Sequence, residues 1–381
     1  MKKYFFLSIV AVGAMFASCS KSEIVDSKFG NDEIGFQTYV GRDAQTKATP
    51  IEAVDALKDA NYGGIGVYGF YTGKDDYKAS STANLWANER LYWGTITNAD
   101  GATSSGWTYA STKYWANDDD NYTFLAYAPY GHSTITEVST GTQVANPSIV
   151  YTVPELLPAQ QDILYAKAQG TAANFKSGVT LNMKHALSRL TVTAAAPVDQ
   201  NGFQFDIKKV TISGKFNVSG ELTLADAKAD ATADAGWDAT SGEVVYTFYD
   251  DDAASFDGEK WDVLPAGTTE APAVNYAVRN GNADNYLMMI PTTFTETDKA
   301  TLTVTYTTIY EKQESKPVTK EIPFVVDFKM GKAYSINLVF SHTAEPITFN
   351  VTVDTWDEEG PVTSSNTTNG NNPEKYPATE E

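Results

Sequence analysis

Few side chains in this 381-residue chain could do covalent or acid–base chemistry, carboxylates apart. There is one cysteine, Cys19, and there are three histidines, His132, His185 and His342, well separated along the chain. No G-x-S-x-G, H-E-x-x-H or C-x-x-C sequence and no phosphate-cradling glycine loop occurs. A single thiol closes no disulfide within the chain, and scattered histidines make no metal set. Carboxylates are plentiful, but no spacing singles out a hydrolytic pair. Asp118-Asp119-Asp120-Asn121 invites a calcium reading, yet it lacks the D-x-D-x-D-G spacing and distal Glu of such loops, so an Asp-rich turn before a strand is the better expectation. His185, between Met183 and Leu187, is expected to be a hydrogen-bonded structural residue. These residues predict no catalytic site, no metal and no cofactor. Two features remain: the lone Cys19 thiol, and a polar loop in which Arg42 and Lys47 are open to a trypsin-like protease.

The surroundings of Cys19 give the first of these its sense. Lys2 and Lys3 precede an apolar run from Tyr4 to Phe16, then the small residues Ala17 and Ser18. That is a secretory signal, too short for a stable membrane span. Phe16-Ala17-Ser18-Cys19 resembles the lipobox of bacterial lipoproteins. The resemblance implies removal of residues 1–18 and lipidation of Cys19, each buried methylene of its acyl chains contributing about 0.8 kcal/mol to membrane binding. Residues 19–32 then form a polar tether. The formal net charge is −20, and without Lys2 and Lys3 it becomes −22, with 26 basic against 48 acidic residues. Nucleic-acid binding, which depends on clustered Lys and Arg, is excluded as an expectation.

The elements that position these features read as strands. Glu33 to Val40 alternates, with Ile34, Phe36, Thr38 and Val40 on one face. The polar loop from Gly41 to Pro50 carries Arg42 and Lys47. Ile51–Leu57 can make a short helical turn. Tyr62–Tyr71, Tyr122–Tyr130, Val179–Ala195, Ala300–Tyr310, Lys332–Phe340 and Ile347–Trp356 are strand candidates. Ser213-Gly214-Lys215 predicts a turn between two more. Short strands with polar turns and hardly any helical period predict an all-β chain of antiparallel β-sandwiches. Residues 33–178 form the first domain, 179–357 the second, and the polar segment 358–381 a flexible tail. Trp86, Trp93 and Trp107 could make a glycan platform, although strand spacing favours core.

The order of motifs is similar to the fimbrillin family of Bacteroidales. The lipobox, an alternating strand followed by Arg42 and Thr46-Lys47-Ala48, then GIGVYGFY and YTFLAYAPY, follow the family's sequence of features. Gln161-Asp162-Ile163-Leu164-Tyr165-Ala166 resembles its Q-D-L-L-Y-A motif. Lys184-His185-Ala186-Leu187-Ser188-Arg189-Leu190 resembles its F-x-H-x-L-S-x-L strand, with Met183 in place of Phe. Lys332 to Leu338 resembles G-K-x-Y-x-I-N-L, and Trp356 is also typical. The resemblance implies two transthyretin-like β-sandwich domains in tandem and a structural, non-enzymatic subunit of a type V pilus. It also implies a lipidated precursor at the outer membrane, cleavage after Arg42 by an arginine-specific protease, and replacement of the lost first strand by another subunit's C-terminal strand. After Trp356 the chain is polar, a poor donor, leaving Ile347–Val353 as the donor or pointing to a tip, accessory or anchor role. The alternative is a surface adhesin or glycan-binding lipoprotein that never polymerises.

Overall fold

The computed structural model describes residues 33–40, 54–59, 63–97, 101–141, 144–195, 203–228, 235–251, 276–277, 286–340 and 347–356. Cys19, Arg42, Lys47, the signal, the tether and the tail all lie outside these residues. Almost everything described is β-structure, as the alternation of Thr and Tyr with Val, Ile and Leu requires. The helical turn expected near residue 51 is α1 (Val54–Lys58).

The first sheet runs in the order β1 (Phe36–Val40), β9 (Val179–His185), β8 (Leu164–Thr171), β5 (Asn121–Ala128), β2 (Ile65–Gly73), β3 (Trp86–Thr97) and β4 (Thr103–Thr108). The second runs β13 (Tyr276–Ala277), β10 (Ser188–Ala195), β20 (Lys332–Phe340) and β21 (Ile347–Thr355), with β14 (Leu287–Met289) also on β10. The third runs β17 (Gln313–Glu314), β16 (Ala300–Tyr310), β11 (Phe203–Thr223), β7 (Ser148–Thr152) and β6 (Ile135–Val138). It also carries β12 (Trp237–Asp250) on β11 and β18 (Val318–Phe324) on β16, while β15 (Thr292–Phe294) and β19 (Val326–Phe328) form a separate ribbon.

Two cores result. On one face of the first sheet, Ile65, Val67, Phe124 and Ala126 pack with β1. On the other face, Tyr68, Phe70, Leu125 and Tyr127 join the large core shared with the second and third sheets. Strands buried on both faces read as unbroken apolar runs, which is why β2 and β5 do not alternate.

Three features depart from the sequence reading. The β1–β9 and β10–β20 ladders are parallel, because alternation reports burial and not strand direction. Val179, the expected start of the second domain, opens β9 of the first sheet, and the chain crosses to the second sheet only between His185 and Ser188. The expected turn at Ser213-Gly214-Lys215 is also corrected: these residues lie inside β11, and their register against β12 runs through without a break. Gly214 has φ +150°, and a Cβ there would stand 2.8 Å from the Phe294 ring. The glycine admits a ring; it does not turn the chain.

Candidate functional site at the edge of the first sheet

β1 is the edge of its sheet, yet Phe36 and Val40 are core. It lies parallel to β9, in register from Phe36↔Val179 to Val40↔Met183. Ile34, Phe36 and Val40 are all buried. The Phe36 ring lies 5.6 Å from Trp86, 6.0 Å from Tyr109 and 5.6 Å from Phe124, the last two edge-on. Such pairs contribute about 0.5–1.5 kcal/mol each beyond burial.

The backbone of this segment is held from both sides. The Ile34 N–H donates to the Lys113 carbonyl at 2.9 Å, and the Val179 N–H donates to the Gly35 carbonyl at 2.7 Å. The Tyr109 hydroxyl donates to the Ile34 carbonyl. Burial, and then the Glu33 carboxylate, push that hydroxyl far above its ordinary pKa, so it stays a donor at any physiological pH. Gln37 Nε2 donates to the Ser177 carbonyl at 2.7 Å, across the turn where Gly178 has φ +109°. The only covalent link from β1 onward to α1 is residues 41–53.

One group in this site is poorly matched. The Thr38 Oγ1 is buried and has no hydrogen-bond partner among the described residues. An unpaired buried hydroxyl costs roughly 1–3 kcal/mol. Thr38→Val is therefore expected to stabilise the chain by about 1 kcal/mol, read as a higher urea midpoint at constant m-value.

A second cluster closes the far end of β9. His185 Nδ1 lies 2.8 Å from Asp162 Oδ2, both residues fully buried. The imidazole stacks on the Trp356 indole, centroids 3.8 Å apart and planes at 9°. The Arg189 guanidinium lies 4.9 Å from the same indole and 4.8 Å from the Tyr286 ring. Three separate sequence motifs, around Asp162, around His185 and Arg189, and at Trp356, thus meet at one point. His185 is the structural residue its context predicts. Its carboxylate partner escapes sequence reading because 23 residues separate them. Ser188 is no nucleophile for this pair, since its hydroxyl donates to the Lys329 carbonyl at 2.7 Å.

The remaining expectations also find places. Asp120 is the buried member of its acidic turn. It accepts hydrogen bonds from Asn117 at 2.8 Å and Tyr71 at 2.7 Å, and it pairs with Lys74 at 3.1 Å. These donors hold its carboxyl down to about 2. Trp86 and Trp107 are core, 4% and 3% exposed, and Trp93 packs edge-on against Trp107 with the Lys58 ammonium 4.3 Å over its ring. That leaves no open tryptophan platform among the three.

A sequence model of a family described as fimbrillin-like matches residues 46–356. Fimbrium subunit Fim1C of Phocaeicola vulgatus is 25% identical over 268 residues, which span 66% of this chain and 66%, just under two thirds, of that relative. A fimbrial protein from Bacteroides vulgatus ATCC 8482 has the same fold, with a TM-score of 0.61 at 18% identity over 86% of this chain and 100% of that one. A fimbrial assembly protein from Parabacteroides distasonis ATCC 8503 aligns at 13% identity and a TM-score of 0.40, over 86% and 97% of the two chains.

Proposed function

The chain belongs to the fimbrillin-like family, and on that premise we propose that it is a structural subunit of a cell-surface fimbria, assembled by strand replacement at the β1 site. In this reading the precursor is lipidated at Cys19 and held at the outer membrane. An arginine-specific protease cuts after Arg42, and β1 departs. The vacated edge of β9 and the pocket of Trp86, Tyr109 and Phe124 then accept a strand from another subunit. The observation that carries the reading is the burial of β1. An edge strand whose apolar face fills a core leaves both an unpaired ladder and an apolar groove behind it, and such a groove binds an added strand strongly.

The sequence of β21 supports a donor within the chain itself. Ile347, Phe349 and Val353 repeat the spacing of Ile34, Phe36 and Val40, and Asn350 stands where Gln37 does. Val351 stands at the position of Thr38, where the groove leaves a hydroxyl unmatched. In its own sheet β21 is an edge strand, antiparallel to β20, and Val353 is 38% exposed. A second copy's β21 therefore suits the groove at least as well as β1.

The test is limited digestion of the unlipidated protein with an arginine-specific protease, followed by intact mass and size-exclusion chromatography. The expected result is one early cut after Arg42, then growth to higher oligomers, with growth abolished by Val351→Asp. Resistance at Arg42 overturns the processing step. Cleavage without growth restricts the chain to a tip or accessory position that accepts a strand and gives none.

A further inference from the structure

β9 is held unevenly along its length. Its residues 179–183 pair with β1, and among the described residues they make no other ladder, because β8 meets β9 only at Leu164↔His185 and Tyr165↔Lys184. Val179, Leu181, Met183 and His185 form one buried row along β9. The first three pack in the β1 core, and the fourth reaches out of it to stack on Trp356.

Trp356 follows directly after β21, and its fastening leads back to the same place. Its backbone N–H donates to the Gly331 carbonyl at 2.9 Å, and the Gly331 N–H donates to the Leu187 carbonyl at 2.9 Å. The indole is fully buried, whereas Ile347, Phe349 and Val351 of β21 are only partly so. Beyond its ladder with β20, which runs to Lys332↔Thr355, the C-terminal end of β21 is therefore held by one fully buried ring, seated on the last residue of the strand that β1 supports.

We infer that β9 couples the two edge strands: while β1 is seated, the His185–Trp356 stack locks β21 into its own sheet, and when β1 leaves, the lock loosens. The physical step is a local opening. Without β1, residues 179–183 lose their ladder, and the β8 ladder holds β9 at the end that presents His185. A flat stacking contact with Trp356 needs that imidazole held in place by β9 as well as by Asp162. Local openings of contiguous elements are cooperative, and a coupling between two sites acts equally in both directions. The use of this device in assembly rests on the strand-replacement reading. A subunit would then release its donor strand only after its own acceptor edge had been opened, which keeps the uncut precursor monomeric.

The coupling itself is measurable in a dilute monomer by amide hydrogen exchange of the full chain. Phe36→Ala is expected to speed exchange in the segment 347–356 about tenfold more than in β16, whose amides report the global loss of stability. In a Trp356→Leu background, where the lock is already open, Phe36→Ala should add nothing further to that segment. Should the Phe36→Ala chain fail to fold, Val40→Ala makes the same comparison with a smaller cavity and a rise of about threefold. The inference is overturned if weakening β1 changes exchange only in residues 33–40 and 179–183, or if the two substitutions act independently on the segment 347–356. Oligomers formed after cleavage of a chain without this coupling would leave strand replacement standing and remove the lock. Coupling without oligomers would do the reverse.

Discussion

Phe36→Ala is expected to destabilise the intact chain by about 3–5 kcal/mol, the range for truncating a well-packed buried phenylalanine. The ring is 2% exposed and touches three other aromatic rings, so little can relax into the space it leaves. Against a typical domain stability of roughly 5–15 kcal/mol this is a large fraction. It should appear as a drop in the urea midpoint at nearly constant m-value. Phe36→Leu keeps most of the volume and should cost under about 2 kcal/mol. A loss below ~1 kcal/mol for the alanine variant would mean that β1 is not seated as described.

Trp356→Ala should have an effect of similar size, about 3–5 kcal/mol, for a different reason. The indole is fully buried and covers the face of His185, beside the Asp162 carboxylate and the Arg189 guanidinium. Removing it lets water reach a buried polar cluster as well as opening a cavity. Trp356→Phe retains a stacking face and should recover roughly half of the loss. Equal costs for the two variants would show that volume, and not the stack, sets the contribution of this ring. The measurement is again the denaturation midpoint of the full chain.

Much of the fold was legible because half-buried strands declare themselves. Glu33–Val40 alternates, and its apolar residues are the ones found in the core, although the ladder itself begins at Phe36. The aromatic runs in β2 and β5 are also strands, and they bury residues on both faces. What the residues could not reveal was partnership. Nothing in the spacing of β1 says that it lies parallel to a strand more than a hundred residues away. Nothing in the motif around His185 points to Asp162 or Trp356, because these contacts are made by the chain's return and not by its local period. Gly214 looked like a turn because glycine usually breaks a strand, whereas here it makes room for Phe294. Cys19 and Arg42, where acylation and cleavage are expected, lie outside the described residues.

Under the strand replacement proposed above, the link between β1 and α1, residues 41–53, also sets the kinetic order. While it is intact, β1 returns to its groove by a unimolecular step, as though present at an effective concentration on the order of millimolar. A competing strand from solution would have to match that figure to take the site. Cutting the link makes rebinding of β1 bimolecular, and its advantage vanishes with dilution. One broken peptide bond, changing no contact in the groove, would thereby turn the competition over to whichever strand is tethered nearby.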